Sequence, residues 1–202
     1  VEFVSYDEAM EVLGELGVLE AIATDDRLQL ELADSDDVVH LHIASAQDES
    51  GRAASLESAR AGAEQVIVAS ERMPDIIEHL IHKLGLKQVL LVPIGKWGRV
   101  FDAVAFSMAE NEHWQEIDST ASMSLNTRDP LLCEPGDIHT VRDLVAAILS
   151  DAESPDQGIM ITSTNSPVMV ELHPDGSARI SVGNPVLADE IIKTFSADST
   201  SG

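Results

Sequence analysis

Basic residues are scarce in this chain: 12 Lys plus Arg stand against 36 Asp plus Glu, a formal charge of −24. Nonspecific affinity for nucleic acid comes mainly from Lys and Arg neutralising phosphates, and so acidic a surface repels phosphate backbones and anionic headgroups alike. The charge therefore speaks against nucleic acid and against an anionic membrane as partners. Cysteine is nearly absent too. With Cys133 alone, neither an intramolecular disulfide nor a Cys-based zinc knuckle can form, and a reducing, cytoplasmic compartment is the expectation.

Long apolar runs are missing as well. The longest stretch without Asp, Glu, Lys or Arg, residues 157–170, contains Thr164-Asn165-Ser166-Pro167, whereas a membrane helix needs about 20 mostly apolar residues. Val1-Glu2-Phe3-Val4 has neither the basic nor the apolar segment of a secretory signal, so none is expected at this end. Glycine-rich phosphate loops, a Gly-x-Ser-x-Gly elbow and His-Glu-x-x-His are all lacking. No cofactor and no metal are expected. Aromatics are few, and Trp97, Phe101, Phe106 and Trp114 fall close together as either a core layer or an exposed contact patch.

The apolar content is ample. At 44% hydrophobic residues over 202 positions the chain can build a core, so intrinsic disorder is a poor reading despite the charge. Ser5-Tyr6-Asp7-Glu8 reads as a capping box, and Ala9, Val12, Leu13, Leu16, Leu19 and Ile22 recur at helical spacing, which predicts a helix over 6–23. Leu28, Leu30 and Leu32 alternate with polar residues, as do Val39, Leu41 and Ile43. A hairpin through the Asp34–Asp37 loop would set Glu31 beside His40 and leave both outside with Gln29 and His42.

In the middle, 55–64 suggests an Ala-rich helix and 66–68 a short strand; Pro74 opens a helix that Gly85 stops. Val89–Val92 reads as a strand covered on both faces, 100–108 as helical and 117–125 as a strand. The last third reads as a helix after Asp137, three strands at 158–163, 168–173 and 178–182, and a helix over 185–195. The turn Pro174-Asp175-Gly176 would pair Val168 with Val182, Val170 with Ile180 and Glu171 with Arg179. The fold class expected is α+β, with helices covering a mostly antiparallel sheet. A part spanning 1–127 would be followed by a helix-meander-helix unit over 128–196 and a frayed tail over 197–202.

Three groups of residues could carry chemistry. From His79 to Phe101 there is no acid, yet Lys83, Lys87, Lys96 and Arg99 are present. In the loop Pro93-Ile94-Gly95-Lys96-Trp97-Gly98-Arg99, this local positive field suits a small anion, with Arg128 as a further cation; the alternative is that these cations pair with the acidic surface. The segment 126–139 brings Arg128, Cys133 and His139 into an irregular stretch, where a Cys-His nucleophile competes with a loop dipping its apolar residues into the core. His40/His42 and His79/His82 have ligand-competent spacing, but each pair is expected on a solvated face.

The function expected is that of a non-catalytic acidic interaction or regulatory protein, whose partner is a second copy, as a homodimer, or a basic protein. A small-molecule or anion-binding enzyme using a local basic site at Lys96, Arg99 and Arg128 is the alternative, with Trp97 as a further ligand-binding candidate. Four Lys against eight Arg, with Asp and Glu equal in number, also fit adaptation to a salty cytoplasm.

Overall fold

A computed structural model describes residues 1–45, 64–68, 70–121 and 125–199. The fold is α+β. Eight strands form one mostly antiparallel sheet in the order β1-β7-β6-β8-β9-β10-β4-β5, and a separate hairpin pairs β2 with β3. The strands are β1 (Glu2–Phe3), β2 (Val18–Ala23), β3 (Leu28–Leu32), β4 (Val39–Ser45), β5 (Glu64–Val68), β6 (Val89–Pro93), β7 (Leu131–Cys133), β8 (Ile159–Ser163), β9 (Val168–Leu172) and β10 (Ala178–Val182). The helices are α1 (Tyr6–Glu15), α2 (Met73–Lys83), α3 (Trp97–Val104), α4 (Glu112–Thr120), α5 (Ile138–Asp151) and α6 (Pro185–Ser199). Among the described residues no helix is long and apolar enough to cross a membrane.

Alternation along the central strands divides the core in two. Val89 and Leu91 point to a cluster shared with α2, α3, α4 and α5, whereas Leu90, Val92, Met160 and Met169 point to the other face, covered by α1 and the β2–β3 hairpin. A strand covered on both faces has no polar side to show, which is why Val89–Val92 reads as an unbroken apolar run. The larger cluster also holds Trp97, Phe101 and Trp114, with Phe101 stacked on Trp114 at a ring separation of 4.4 Å. Three of the four clustered aromatics are therefore core, and Phe106 alone is exposed.

The C-terminal part follows its sequence pattern closely. Gly176, at φ 81°, turns the chain so that Val168 pairs with Val182, Val170 with Ile180 and Glu171 with Arg179. Helix α2 has Pro74 in its first turn and Gly85 at φ 60° beyond its end. Helix α6 continues through Ser199, past the expected stop at 195, so 197–199 are helical and 200–202 lie outside the described residues. The expected Ala-rich helix likewise falls outside them, over 55–63.

Three expectations are overturned. Helix α1 ends at Glu15: the Leu16 and Gly17 N–H groups bond back to Leu13 and Gly14, Gly17 takes φ 83°, and 18–23 become strand β2 against β3. Ser5 makes no side-chain cap; Asp129 Oδ1 instead accepts the Tyr6 N–H at 3.1 Å. Next, β3 and β4 do not pair. Both edges of β4 are occupied, antiparallel by β10 and parallel by β5, and the apolar residues of β3 and β4 serve opposite sides of the main sheet. His40 accordingly faces Ser181 and not Glu31, with Nδ1 2.8 Å from the serine Oγ. Finally, 112–120 is helix: Asn111 Oδ1 accepts the Trp114 N–H at 2.9 Å, and Trp114, Ile117 and Ala121 are buried at helical spacing.

Candidate functional site

The positive loop after β6 divides between two environments. Trp97 is fully buried and its Nε1 donates to the Asp129 carbonyl at 2.8 Å, which fixes the start of α3. Arg99 points away towards Asp156, its Nε donating to Oδ2 at 2.8 Å; the guanidinium holds that carboxyl below its usual pKa. Between them, Gly95 lets the loop approach Asp156 so closely that a Cβ there would lie 2.5 Å from the Asp156 carbonyl oxygen.

Lys96 and Arg128 do converge. Both line an open hollow of about 380 Å³ whose walls also include Tyr6, Glu20, Asp25 and Asp129. Arg128 clamps two of its sides, with Nε donating to the Gly95 carbonyl at 2.8 Å and Nη2 to the Asp25 carbonyl at 3.2 Å. The Asp129 oxygens are committed to the Tyr6 N–H and the Thr127 hydroxyl. The Tyr6 hydroxyl is shielded from solvent without a hydrogen-bond partner in bonding geometry. Burial, followed by the charge of nearby Glu20, pushes its pKa up.

Cys133 and His139 are not brought together as a nucleophile and its base. Cys133 is 2% exposed on β7, and burial pushes its thiol up to about 12, which keeps it protonated. His139 on α5 instead packs edge-on against His113, ring centroids 5.0 Å apart, beside an open depression that Asp143 also lines. The two histidine pairs sit on opposite sides of the sheet. His40 and His42 alternate with Leu41 and Ile43, which face the helices, while His79 and His82 are on the exposed side of α2.

One polar cluster has no counterpart among the expected site residues. Glu171, 4% exposed, faces Arg179 Nη2 at 3.1 Å, His173 Nε2 at 3.3 Å and Arg27 Nη2 at 4.0 Å, and Arg179 Nη1 reaches Glu31 at 3.0 Å. Burial by itself would raise the Glu171 pKa, but His173, Arg179 and Arg27 together bring it below its ordinary value. The cross-strand pairing of Glu171 with Arg179 is the part visible in sequence; Glu31 and Arg27 arrive only because the hairpin stands over β9 and β10.

That hairpin also supplies the most exposed strand. Every residue of β2 after Val18 is exposed, and among the described residues no strand pairs with its outer edge. An irregularity at Ala21 shifts the β2–β3 register, so that Leu19 lies opposite Glu31 and Ile22 opposite Gln29, and both apolar side chains share one face. Leu19 is 54% and Ile22 38% exposed, with Glu11, Glu15, Glu20, Asp25 and Asp26 exposed nearby in sequence. Compared with protein-family models, curated proteins and solved structures, the chain matches none.

Proposed function

We propose that this chain is a non-catalytic acidic interaction module that takes up an extended segment, rich in apolar and basic residues, by strand addition along the outer edge of β2. The observation carrying this reading is the edge itself. An open strand offers a row of backbone donors and acceptors, and natural edges are usually blunted by charges, proline, a bulge or a covering element. Here the edge carries exposed Leu19 and Ile22 with neither lysine nor proline, and only Glu20 and the irregularity at Ala21 interrupt it. Alternate side chains of an added strand would meet the two apolar groups, and the surrounding acids favour lysines and arginines between them. A second copy of the chain would bring 24 further negative charges to the same edge, so a basic partner fits better than a homodimer.

The test is fluorescence anisotropy with a labelled peptide of alternating valine and lysine, against the same composition with proline at alternate positions. The first peptide should bind with an affinity that falls as salt rises, and the second should not bind. Leu19→Ser with Ile22→Ser should weaken binding at least tenfold while leaving the melting temperature nearly unchanged, because both positions are exposed. Equal binding of the two peptides would refute strand addition. Sedimentation of the free protein as a dimer that the double substitution dissociates would assign the edge to a second copy.

A further inference from the structure

The hollow beside β2 holds donors whose needs the described residues do not fully meet. Lys96 is half-buried, and among the described residues its ammonium has no hydrogen-bond or ion-pair partner, although the chain carries 36 acids. The Tyr6 hydroxyl in the same wall is shielded from water and has no partner in hydrogen-bonding geometry, although the Glu20 carboxylate lies close enough to act on it. Leaving a shielded hydroxyl without a well-formed hydrogen bond costs stability. Arg128 adds a third donor and the second cation: its Nε and Nη2 are tied to the Gly95 and Asp25 carbonyls, and among the described residues Nη1 has no hydrogen-bond partner.

The acids in the same walls decide the class of ligand. Asp129 is spent on the backbone and on Thr127, whereas Glu20, beside the Tyr6 hydroxyl, and Asp25 are exposed at the hairpin side. Two cations and three carboxylates around one space disfavour a simple anion, because the carboxylates repel it. A ligand bearing both charges meets both halves.

We propose that this cavity binds a small zwitterion of the α-amino-acid type, its carboxylate taken by the Lys96 ammonium, the Tyr6 hydroxyl and Arg128, and its ammonium by Glu20 and Asp25. The space of about 380 Å³ accommodates such a molecule with its side chain. The proposal does not rest on strand addition at β2.

Calorimetric titration of the whole chain with L-alanine and L-leucine, and with acetate, methylammonium and inorganic phosphate as single-charge controls, tests it. At least one amino acid should bind saturably and the controls at least tenfold more weakly. Lys96→Gln and Tyr6→Phe should each weaken amino-acid binding about tenfold or more, the scale of one lost charge-assisted hydrogen bond. Tyr6→Phe should also raise the melting temperature of the free protein, since it removes an unsatisfied polar group. The opposite signs, firmer fold and weaker binding, separate a binding role from a structural one. Acetate or phosphate binding as tightly as the amino acids, no saturable binding by either amino acid, or unchanged affinity in both variants would overturn the proposal. Valine-lysine peptide binding should survive Lys96→Gln, so the two readings fail independently.

Discussion

At the residue scale, burial and neighbouring charges shift the titration of His42 and Glu171 on the hairpin side of the sheet. His42 is half-buried on β4, and burial, then Arg179 and then His40 lower its pKa, with Glu171 acting in the opposite direction. The unfolded ring takes up its proton near the ordinary histidine value of about 6.5, and the folded ring only at lower pH. Between those two values the unfolded state binds more protons, so stability rises with pH there and is lost as pH falls below about 6.5. His42→Asn should flatten this part of the profile, measured as urea midpoints at a series of pH values. An unchanged slope would mean that His42 titrates alike in both states. Glu171 contributes in a separate range: its lowered pKa yields stability present above the ordinary carboxylate range and lost as pH falls through the folded value.

At the element scale, the boundary between α1 and β2 shows how far periodicity reaches. Leu19 and Ile22 continue the helical spacing of Ala9, Leu13 and Leu16, yet the chain leaves the helix at Gly17 because β3 supplies a partner for 18–23. Two glycine substitutions discriminate the two conformations. Gly14 lies in the exposed last turn of α1, where an added Cβ would meet nothing within 4 Å, so Gly14→Ala should stabilise by up to about 1 kcal/mol. Gly17, at φ 83°, needs a left-handed backbone that costs other residues about 1–2 kcal/mol, so Gly17→Ala should destabilise by about 1 kcal/mol. Stabilisation by both, read from chemical denaturation, would be the result of a helix running to 23. A similar ambiguity governed β4. Val39, Leu41 and Ile43 match the apolar rhythm of β3, but they match Val182, Ile180 and Ala178 of β10 equally well. Like-with-like register cannot choose between two suitable neighbours.

At the scale of the whole molecule, 36 carboxylates against 12 cations leave a surface that repels itself. Some of this is relieved locally, as where Arg142 lies 2.8 Å from Asp75 and 3.3 Å from Glu78, joining α5 to α2. Exposed pairs of this kind contribute only about 0–1 kcal/mol each, so most of the repulsion remains. Added salt shortens its range to about 10 Å at 0.1 M and about 3 Å at 1 M. The unfolding midpoint should therefore climb as sodium chloride is added, with most of the gain at low concentrations. A midpoint independent of salt would show that the folded state is no more self-repelling than the unfolded one.

By itself the sequence determined what depends on neighbours along the chain: the strands β3, β4, β6 and β8 to β10, the turn at Gly176 with its Glu171–Arg179 pairing, the ends of α2, and an acidic surface interrupted by one basic loop; it did not show β1, β2 or β7. It did not determine which strand edge meets which, because hydrogen bonds along β4 are satisfied equally by β3 or β10. Only closure of the sheet between two apolar layers made that choice, sending the β3 leucines to α1 and the β4 apolar residues to α2. The same choice shaped the candidate sites. Moving the hairpin off β4 opened the outer edge of β2, carried Arg27 and Glu31 to Glu171 and Arg179, and gathered Tyr6, Lys96 and Arg128 around one open hollow. Tyr6 and Arg128 are separated by 122 positions in sequence, and no periodicity acts over such a distance; packing does.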